Sequence, residues 1–139
     1  MLYYSLDKDA HQPRFAYEGD AGMDLALKHD LTVPVGAHRV GDTGVHVAVP
    51  RGHVGMVFVR SSTGIKRHLV LSNGTGIIDS GYRGPIKVSL HNTGNETQHI
   101  TAGDYIAQLV VVPIATNNIA EVPQLPHSER GTNGIGSSK

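Results

Sequence analysis

Alternation of apolar and polar residues predicts short β-strands along most of the chain. Ile86, Val88 and Leu90 share one face of an extended segment. Lys87 and Ser89 fall on the other face. Further apolar runs, each ended by turn-forming residues, cover 45–49, 54–59 and 106–112. Short strands separated by glycine, proline and asparagine are typical of a β-sandwich or barrel, so we expect an all-β fold.

The segments between the strands carry helix and turn signals. Residues 62–70 favour a short helix with Ser61 or Ser62 as its N-cap, although Gly64 weakens the signal. The polar run 91–96 predicts a hairpin turn. The expected domain therefore has one short helix among its strands.

The pattern decays after Pro113. Residues 115–127 contain two prolines and no lasting period, which indicates an extended segment. Residues 128–139 are rich in glycine and hydroxyl groups. A terminal run of this composition is usually disordered, although its backbone N–H groups could also wrap a phosphate chain. We expect a β-domain over 1–114, an extended arm over 115–127 and a flexible tail over 128–139.

Composition narrows the class of protein. The 139 residues are enough for one domain with its own core, and the 17 glycines favour many tight turns. No cysteine is present, so disulfides and thiolate metal sites are excluded. The net charge of +0 argues against a nucleic-acid partner, and no apolar run has the length of a membrane span. With no signal-peptide features at the N-terminus, we expect a soluble protein of the cytoplasm.

Asp79 is the first candidate for chemistry. It follows two isoleucines, and a carboxylate at the edge of a strand can orient and deprotonate a water. The alternative is an aspartate that only begins a β-turn, with Gly81 at positive φ, and the local sequence favours this alternative. Tyr82 could wall a small-molecule pocket or simply fill a strand.

Arg60, Ser61 and Ser62 form a candidate anion site. They stand between a strand and the possible helix, where free N–H groups, a guanidinium and hydroxyl groups attract phosphate. An ordinary serine N-cap is the alternative. Asp24, before another candidate strand, could serve a metal or close a salt bridge, and nothing local decides between the two. The nine histidines are dispersed without metal-ligand spacing.

The order of these signals is more specific than any one of them. Together they resemble the five motifs of the trimeric dUTPase family, over most of the chain from about Gly19 to Ser138. The third motif and the tail are the specific ones. The five matching segments are 21–25, 60–62, 73–84, 107–108 and 130–138.

This resemblance implies a jelly-roll-like β-clip or barrel domain that forms a homotrimer. Three active sites would lie at subunit interfaces, where the arm 115–127 crosses to a neighbour and the tail 128–139 closes as a phosphate-binding lid. The implied reaction is hydrolysis of dUTP to dUMP and pyrophosphate, which limits uracil in DNA and supplies dUMP for dTTP synthesis. It would take place in the cytoplasm, or in the host cytoplasm for a phage protein.

The resemblance also implies residue roles, position by position. Asp79 would hold the water that attacks the α-phosphorus. Asn73 and the backbone of Gly74 and Gly76, on a β-hairpin, would read the uracil edge. Tyr82 would pack on the deoxyribose. The implied phosphate-binding residues are Arg60, Ser61, Ser62 and Gln108, with Arg130, Gly134, Gly136, Ser137 and Ser138 at the γ end.

Mg²⁺ is the cofactor that the resemblance implies. The cation would bridge phosphate oxygens while keeping several waters, and Asp24 would contact it through those waters. It would neutralise charge and orient the phosphate chain.

Three positions depart from the family pattern. Ile135 stands where the tail usually places an aromatic ring, and it can cover the uracil without π-stacking. Tyr105 replaces an arginine that is common at this position. Gly81 stands where many members have a second acid, although other members also have glycine.

Two other functions fit parts of the same pattern. dCTP deaminases share the fold and an Arg-Ser-Ser motif, but they need a glutamate where alignment on the turn 81–84 places Ser89. A serine cannot shuttle protons to the base, so we expect no deamination. A dUTP-gated regulatory protein, of the kind known among phage dUTPases, is the other alternative, because a tail closed by dUTP would suit a switch.

Overall fold

The chain folds into an antiparallel β-structure with one short helix. The computed structural model describes residues 1–115 and 119–138. Within these residues the strands are β1 (Tyr3–Leu6), β2 (Met23–Ala26), β3 (Leu31–Val33), β4 (His38–Ala48), β5 (His53–Val59), β6 (Leu69–Leu71), β7 (Gly76–Ile78), β8 (Pro85–Asn92), β9 (Gln98–Ile100) and β10 (Tyr105–Pro113), and the helix is α1 (Ser61–Arg67). The predicted all-β class is confirmed.

Two four-stranded sheets enclose the core. The first has the strand order β1-β4-β8-β6 and the second has the order β2-β10-β5-β7. The small sheet β3-β9 packs against the first of them. Consecutive strands such as β4 and β5 belong to different sheets, so the chain crosses repeatedly between layers in a jelly-roll-like arrangement.

The predicted alternation along β8 decides which of its side chains enter the core. Ile86, Val88 and Leu90 are buried, whereas Lys87 is exposed and Ser89 is half-buried. Apolar side chains of β2, β5 and β10 complete the same cluster from the other sheet. Burying one such leucine or isoleucine contributes about 1.5–3 kcal/mol to stability.

The helix α1 confirms a helix within the predicted segment 62–70, but it ends at Arg67 and residues 69 and 70 belong to β6. The predicted N-cap is also wrong. Arg60, and not Ser61 or Ser62, is the N-cap; it is extended (φ −71°, ψ 155°) and makes no side-chain cap hydrogen bond. Arg60 is still tied to β10, since its N–H donates to Ile106 O (3.1 Å). The helix can therefore begin only at the next residue, which leaves both serines exposed in its first turn.

The predicted hairpin turn at 91–96 is wrong in its pairing. Strand β9 pairs with β3 and does not fold back on β8. The buried Asn92 explains the change of direction, because its Nδ2 donates to Val33 O (2.9 Å) and Glu96 O (2.7 Å). Its Oδ1 accepts from Gly94 N (2.9 Å). These bonds carry the chain away from β8 and toward β3.

Among the residues that the structure describes beyond β10, none belongs to a helix or a strand. The described residues 119–138 are exposed and contain turns but neither strand nor helix. Residues 116–118 of the expected arm and Lys139 of the expected tail lie outside the described residues. In the part of the chain that the structure describes, no helix is long and apolar enough to cross a membrane.

Candidate active site

The segment between β6 and β8 lines one pocket with the residues expected to contact a base, a sugar and a water. This pocket has a volume of about 260 Å³. Its lining includes Asn73, Gly76, Asp79 and Tyr82, and also Lys87 of β8. The sequence did not single out Lys87, because an exposed lysine on an alternating strand carries no functional signal.

A tight turn between β6 and β7 presents Asn73 to this pocket. Gly74 adopts a left-handed φ of 73°, and its N–H donates to Leu71 O (3.0 Å). Because β6 and β7 belong to different sheets, the turn crosses between sheets, and the predicted β-hairpin is wrong here. Gly76 faces Val57 of β5 so closely that a Cβ would lie 2.9 Å from the valine Cβ. Larger residues at either glycine would distort the turn.

Asp79 begins a β-turn and also lines the pocket, so the two roles considered for it are compatible. Its carbonyl accepts a hydrogen bond from Tyr82 N (3.1 Å), and the residue is exposed. The predicted positive φ at Gly81 is wrong, because this glycine lies outside the left-handed region. A Cβ at Gly81 would meet nothing within 4 Å. The second acid that many family members carry at this position would therefore fit.

The rest of this turn is braced by side chains. Arg83 Nη1 donates to Ser80 O (2.8 Å) and to Tyr82 O (2.9 Å). The Tyr82 hydroxyl donates to Pro85 O (3.0 Å). From β4, His46 Nδ1 lies 2.7 Å from Arg83 O. The turn is thus a locally bonded unit with an attachment to the first sheet.

A second pocket, of about 350 Å³, is lined by residues from three distant segments of the chain, and four of them are predicted site residues. These are Asp24, Arg60, Ser61 and Gln108. Asp24 on β2 is the register partner of Gln108 on β10, whose Nε2 donates to Val59 O (3.2 Å) at the end of β5. The strand order β2-β10-β5 brings these positions together.

Asp24 and Arg60 form an ion pair, which is one of the two possibilities left open for Asp24. Arg60 Nε lies 3.1 Å from Asp24 Oδ1, and Arg60 Nη1 donates to Tyr105 O (3.1 Å). Asp24 is only 6% exposed, and its Oδ2 is buried without a hydrogen-bond partner among the described residues. One carboxylate oxygen holds the arginine, and the other can accept a hydrogen bond from a bound water.

Ser62 lies in an adjoining pocket of about 430 Å³ that Arg60 also lines. Arg14 stands here with its guanidinium 4.1 Å from the centroid of the Tyr105 ring. The Tyr105 hydroxyl donates to Gln12 O (2.8 Å). Arg14 thus stacks on Tyr105, which stands where an arginine is common in the family. No sequence pattern predicted this contact, because it joins a loop to a distant strand.

Of the described tail residues, none lines the pocket of Asp79 or that of Asp24. Arg130 Nε donates to Asn133 O (2.9 Å), and Ser137 Oγ donates to Gly134 O (2.6 Å). Ile135 is fully exposed (109%). The other tail candidates, also exposed, are Gly136 and Ser138. Within one chain, the candidate base pocket, the candidate phosphate pocket and the tail are three separate parts.

Comparison with known proteins identifies the family. A family model described as dUTPase matches residues 8–139. The chain is similar to the deoxyuridine 5'-triphosphate nucleotidohydrolase of Cutibacterium acnes, at 46% identity over 127 residues that cover 91% of this chain and 84% of the relative. It is also similar to that of Tropheryma whipplei, at 40% identity over 139 residues that cover 99% and 95%. The solved structure of Staphylococcus bacteriophage 80alpha dUTPase with dUPNHPP matches with a TM-score of 0.92 at 30% identity, over 100% of this chain and 98% of that one. This chain belongs to the dUTPase family.

Proposed function

We propose that this protein hydrolyses dUTP to dUMP and pyrophosphate, which limits uracil in DNA and supplies dUMP for dTTP synthesis. The observation that carries the proposal is the pocket of about 260 Å³ that Asn73, Asp79 and Tyr82 line together. It combines groups suited to a base, a water and a sugar in one small space. Family membership and the names of the bacterial relatives support the same reaction.

The base and sugar are read by the two turns of this pocket. Asn73 and the backbone of Gly74 and Gly76 take the uracil edge, because fixed backbone donors and acceptors match uracil and mismatch cytosine. Tyr82 packs on the deoxyribose and leaves no room for a 2′-hydroxyl. The bond from the Tyr82 hydroxyl to Pro85 O (3.0 Å) holds the ring for this task.

Asp79 holds the attacking water and takes its proton. The water oxygen bonds to the α-phosphorus while the bond from that phosphorus to the α,β-bridging oxygen breaks. Pyrophosphate leaves with the bridging oxygen, and dUMP remains in the pocket. The exposure of Asp79 at the start of its turn supports this role, because it lets a water reach the carboxylate.

The phosphate chain is bound in the second pocket and in the adjoining pocket that Ser62 lines. Arg60 donates in a fork geometry, and its ion pair with Asp24 (3.1 Å) holds the guanidinium in place. Ser61, Ser62 and Gln108 add neutral donors. The tail residues that close on the γ end are Arg130, Gly134, Gly136, Ser137 and Ser138, while Ile135 covers the uracil.

A divalent cation, Mg²⁺, fits the phosphate pocket through water. No cluster of three or more histidine or acidic side chains among the described residues could hold a metal by itself. Phosphate oxygens and waters would therefore supply most of the ligands. Asp24 Oδ2, which has no hydrogen-bond partner among the described residues, would accept from one of those waters. When bound, the cation neutralises phosphate charge and orients the chain for attack.

We infer that three copies assemble so that each active site is shared between subunits. The separation of the Asp79 pocket from the Arg60 pocket within one chain supports this, since a single triphosphate must contact both. In this assembly residues 1–114 form the β-domain, residues 115–127 form the arm to a neighbour, and residues 128–139 form the lid. We place the protein in the cytoplasm, or in the host cytoplasm if a phage encodes it.

A substrate panel tests the proposal. Pyrophosphate release is measured with dUTP, dTTP, dCTP and UTP in the presence of Mg²⁺, and ammonia release is measured with dCTP. We expect dCTP to react at least about 10⁴-fold more slowly than dUTP, because a hydrogen-bonding base site rejects a base with mismatched donors and acceptors. We expect little release from UTP, because Tyr82 leaves no room for its 2′-hydroxyl. Equal rates with dCTP or UTP would contradict the roles of Asn73 and Tyr82. Ammonia from dCTP would instead indicate a deaminase, which Ser89 on β8 argues against.

The alternative function is regulation that depends on dUTP binding. The Asp79→Asn variant distinguishes this function from catalysis. The phage 80alpha dUTPases are described as controlling transfer of virulence genes. Here the water-accessible carboxylate of Asp79 favours an enzyme. A role that needs dUTP binding but not turnover would persist in Asp79→Asn, whereas pyrophosphate release would not.

A further inference from the structure

His46 on β4 joins the N-terminal segment to the turn 79–84. Its Nδ1 lies 2.7 Å from Arg83 O, and its Nε2 lies 3.0 Å from Asp7 Oδ1. His46 is also the register partner of Pro85, so its ring stands at the base of the turn. It does not line the pocket of Asp79 and therefore can act there only through the turn.

The partners of the ring determine its protonation state. A backbone carbonyl accepts hydrogen bonds and cannot donate, and an ionised carboxylate also only accepts. Asp7 is held ionised by Lys28, whose Nζ lies 3.2 Å from Asp7 Oδ2. Both ring nitrogens of His46 therefore face acceptors, an arrangement that favours the imidazolium, in which both nitrogens carry hydrogen.

The surrounding charges favour this state. The hydrogen bonds to the Arg83 carbonyl and then to Asp7 raise the pKa of His46 above its ordinary value. The hydrogen bonds from His46 and then from Lys28 lower the pKa of Asp7. Asp42 of β4 adds negative charge, and Lys28 pairs with it (3.6 Å) as well as with Asp9 (4.0 Å).

We propose that His46 is a positioning residue for dUTP hydrolysis, whose imidazolium bridges Asp7 and the Arg83 carbonyl and so holds Asp79 and Tyr82 in place. The inference rests on the proposed function, because those two residues act on the substrate only in that function. A neutral ring has one N–H, so it can satisfy only one of the two acceptors. Deprotonation therefore releases either the N-terminal segment or the turn.

The pH dependence follows from the two shifts. Since the pKa of His46 is raised on folding, its bridge is complete below the unfolded value of about 6.5 and is lost as pH rises through the folded value. Since the pKa of Asp7 is lowered on folding, the contribution of its carboxylate to the bridge is fully present above the unfolded value of about 3.9. This contribution is lost as pH falls through the folded value. At working pH the bridge therefore produces an alkaline decline in activity.

The first experiment measures kcat and KM for dUTP from about pH 5.5 to about pH 9.5 and compares four proteins. These are the wild type, His46→Gln, Asp7→Asn and the control His29→Gln. His29 pairs with Asp9 (3.2 Å) on the same surface. His46→Gln should lower kcat about tenfold near neutral pH, with KM within about twofold, and should remove the alkaline decline due to the ring. His29→Gln should follow the wild type.

Asp7→Asn is the rescue arm. An asparagine amide can donate to the unprotonated Nε2 while Nδ1–H still donates to Arg83 O, so a neutral ring keeps both bonds. This variant should keep kcat within about threefold of the wild type and should weaken the alkaline decline. Loss of activity equal to that of His46→Gln, with an unchanged decline, would argue against the bridge.

A titration of the His46 ring by NMR provides a readout that does not depend on catalysis. The signal is assigned by its disappearance in His46→Gln, and we expect a midpoint above about 6.5 that falls in Asp7→Asn. A midpoint at or below that value, or a His46→Gln pH profile like that of the wild type, would overturn the inference. If the wild type releases no pyrophosphate from dUTP, it is the proposed function that is wrong, and the positioning role fails with it.

Discussion

The Tyr82 ring lies directly over Gly84, so closely that a Cβ on the glycine would sit 2.6 Å from the ring Cζ and 3.0 Å from Cε2. The ring can fold back on its own turn only because position 84 has no side chain. In that position its hydroxyl reaches Pro85 O (3.0 Å) and its body walls the pocket of Asp79. Glycine is therefore required at position 84 for a steric reason, since a side chain there would displace the Tyr82 ring.

Gly84→Ala should displace the Tyr82 ring and weaken the proposed exclusion of a 2′-hydroxyl. The expected result is a fall of about tenfold in the ratio of kcat/KM for dUTP to that for UTP. Gly81→Ala is the matched control in the same turn, because a Cβ there meets nothing within 4 Å. Similar ratios in the two variants would contradict a role for Tyr82 in reading the sugar.

Asp79→Asn should abolish most pyrophosphate release while leaving dUTP binding intact. An amide keeps the shape of the side chain but cannot take a proton from water, and general-base catalysis contributes about 10²–10⁴-fold. Turnover is measured by pyrophosphate release and binding by calorimetry. Glu96→Gln, which neutralises an exposed acid in the turn after β8, serves as the control. Wild-type turnover in Asp79→Asn would mean that another group activates the water.

Asp24→Asn should weaken the response to Mg²⁺. The change removes the charge that holds Arg60 and weakens the acceptor offered to a metal-bound water. Loss of such an indirect metal contact costs about 10–100-fold in metal affinity, so half-maximal activity should need at least about tenfold more Mg²⁺. Asp20→Asn is the control, because Asp20 lines the same pocket and its Oδ2 accepts from Tyr17 N (2.9 Å), a bond that asparagine can keep. Equal Mg²⁺ curves for the two variants would remove Asp24 from the metal site.

Truncation after His127 should cripple turnover without disturbing assembly. The described hydrogen bonds of Arg130 and Ser137 lie within the tail, so removing the tail exposes no core. If the tail is the lid, kcat/KM should fall about 100-fold. Light scattering should still give a trimer, and Tm should stay unchanged. Arg130→Gln in the full chain separates the loss of one cation from the loss of the whole lid; unchanged kcat/KM after truncation would rule out a lid.

Local signals predicted strand segments that lie largely within β4, β5, β8 and β10, whereas the third motif was recognised only through the order of motifs along the chain. The alternation at Ile86, Val88 and Leu90 predicted the buried face of β8, because side chains of one strand alternate between faces whatever its neighbours are. Asn73, Asp79 and Tyr82 line one pocket because only a short strand and two turns separate them. Turn geometry was less predictable. A positive φ was predicted at Gly81, but this glycine lies outside the left-handed region.

Strand partners were decided only by the tertiary structure. The run 91–96 had the composition of a hairpin, yet the buried amide of Asn92 directs the chain to β3. The turn at Asn73 also crosses between sheets, since β6 pairs with β8 and β7 pairs with β5. Composition predicts where the chain turns, but it does not predict which strand the next segment pairs with.

By itself, the sequence of this protein determined the all-β class and the helical segment, because these depend on neighbours within a few residues. Its resemblance to the dUTPase motifs also grouped Asn73, Asp79 and Tyr82. Only the tertiary structure decided that Asp24 pairs with Arg60 and that His46 reaches the Arg83 carbonyl. These contacts join residues that lie more than 30 positions apart. No periodicity or turn signal encodes such a contact, since it exists only after the sheets have packed.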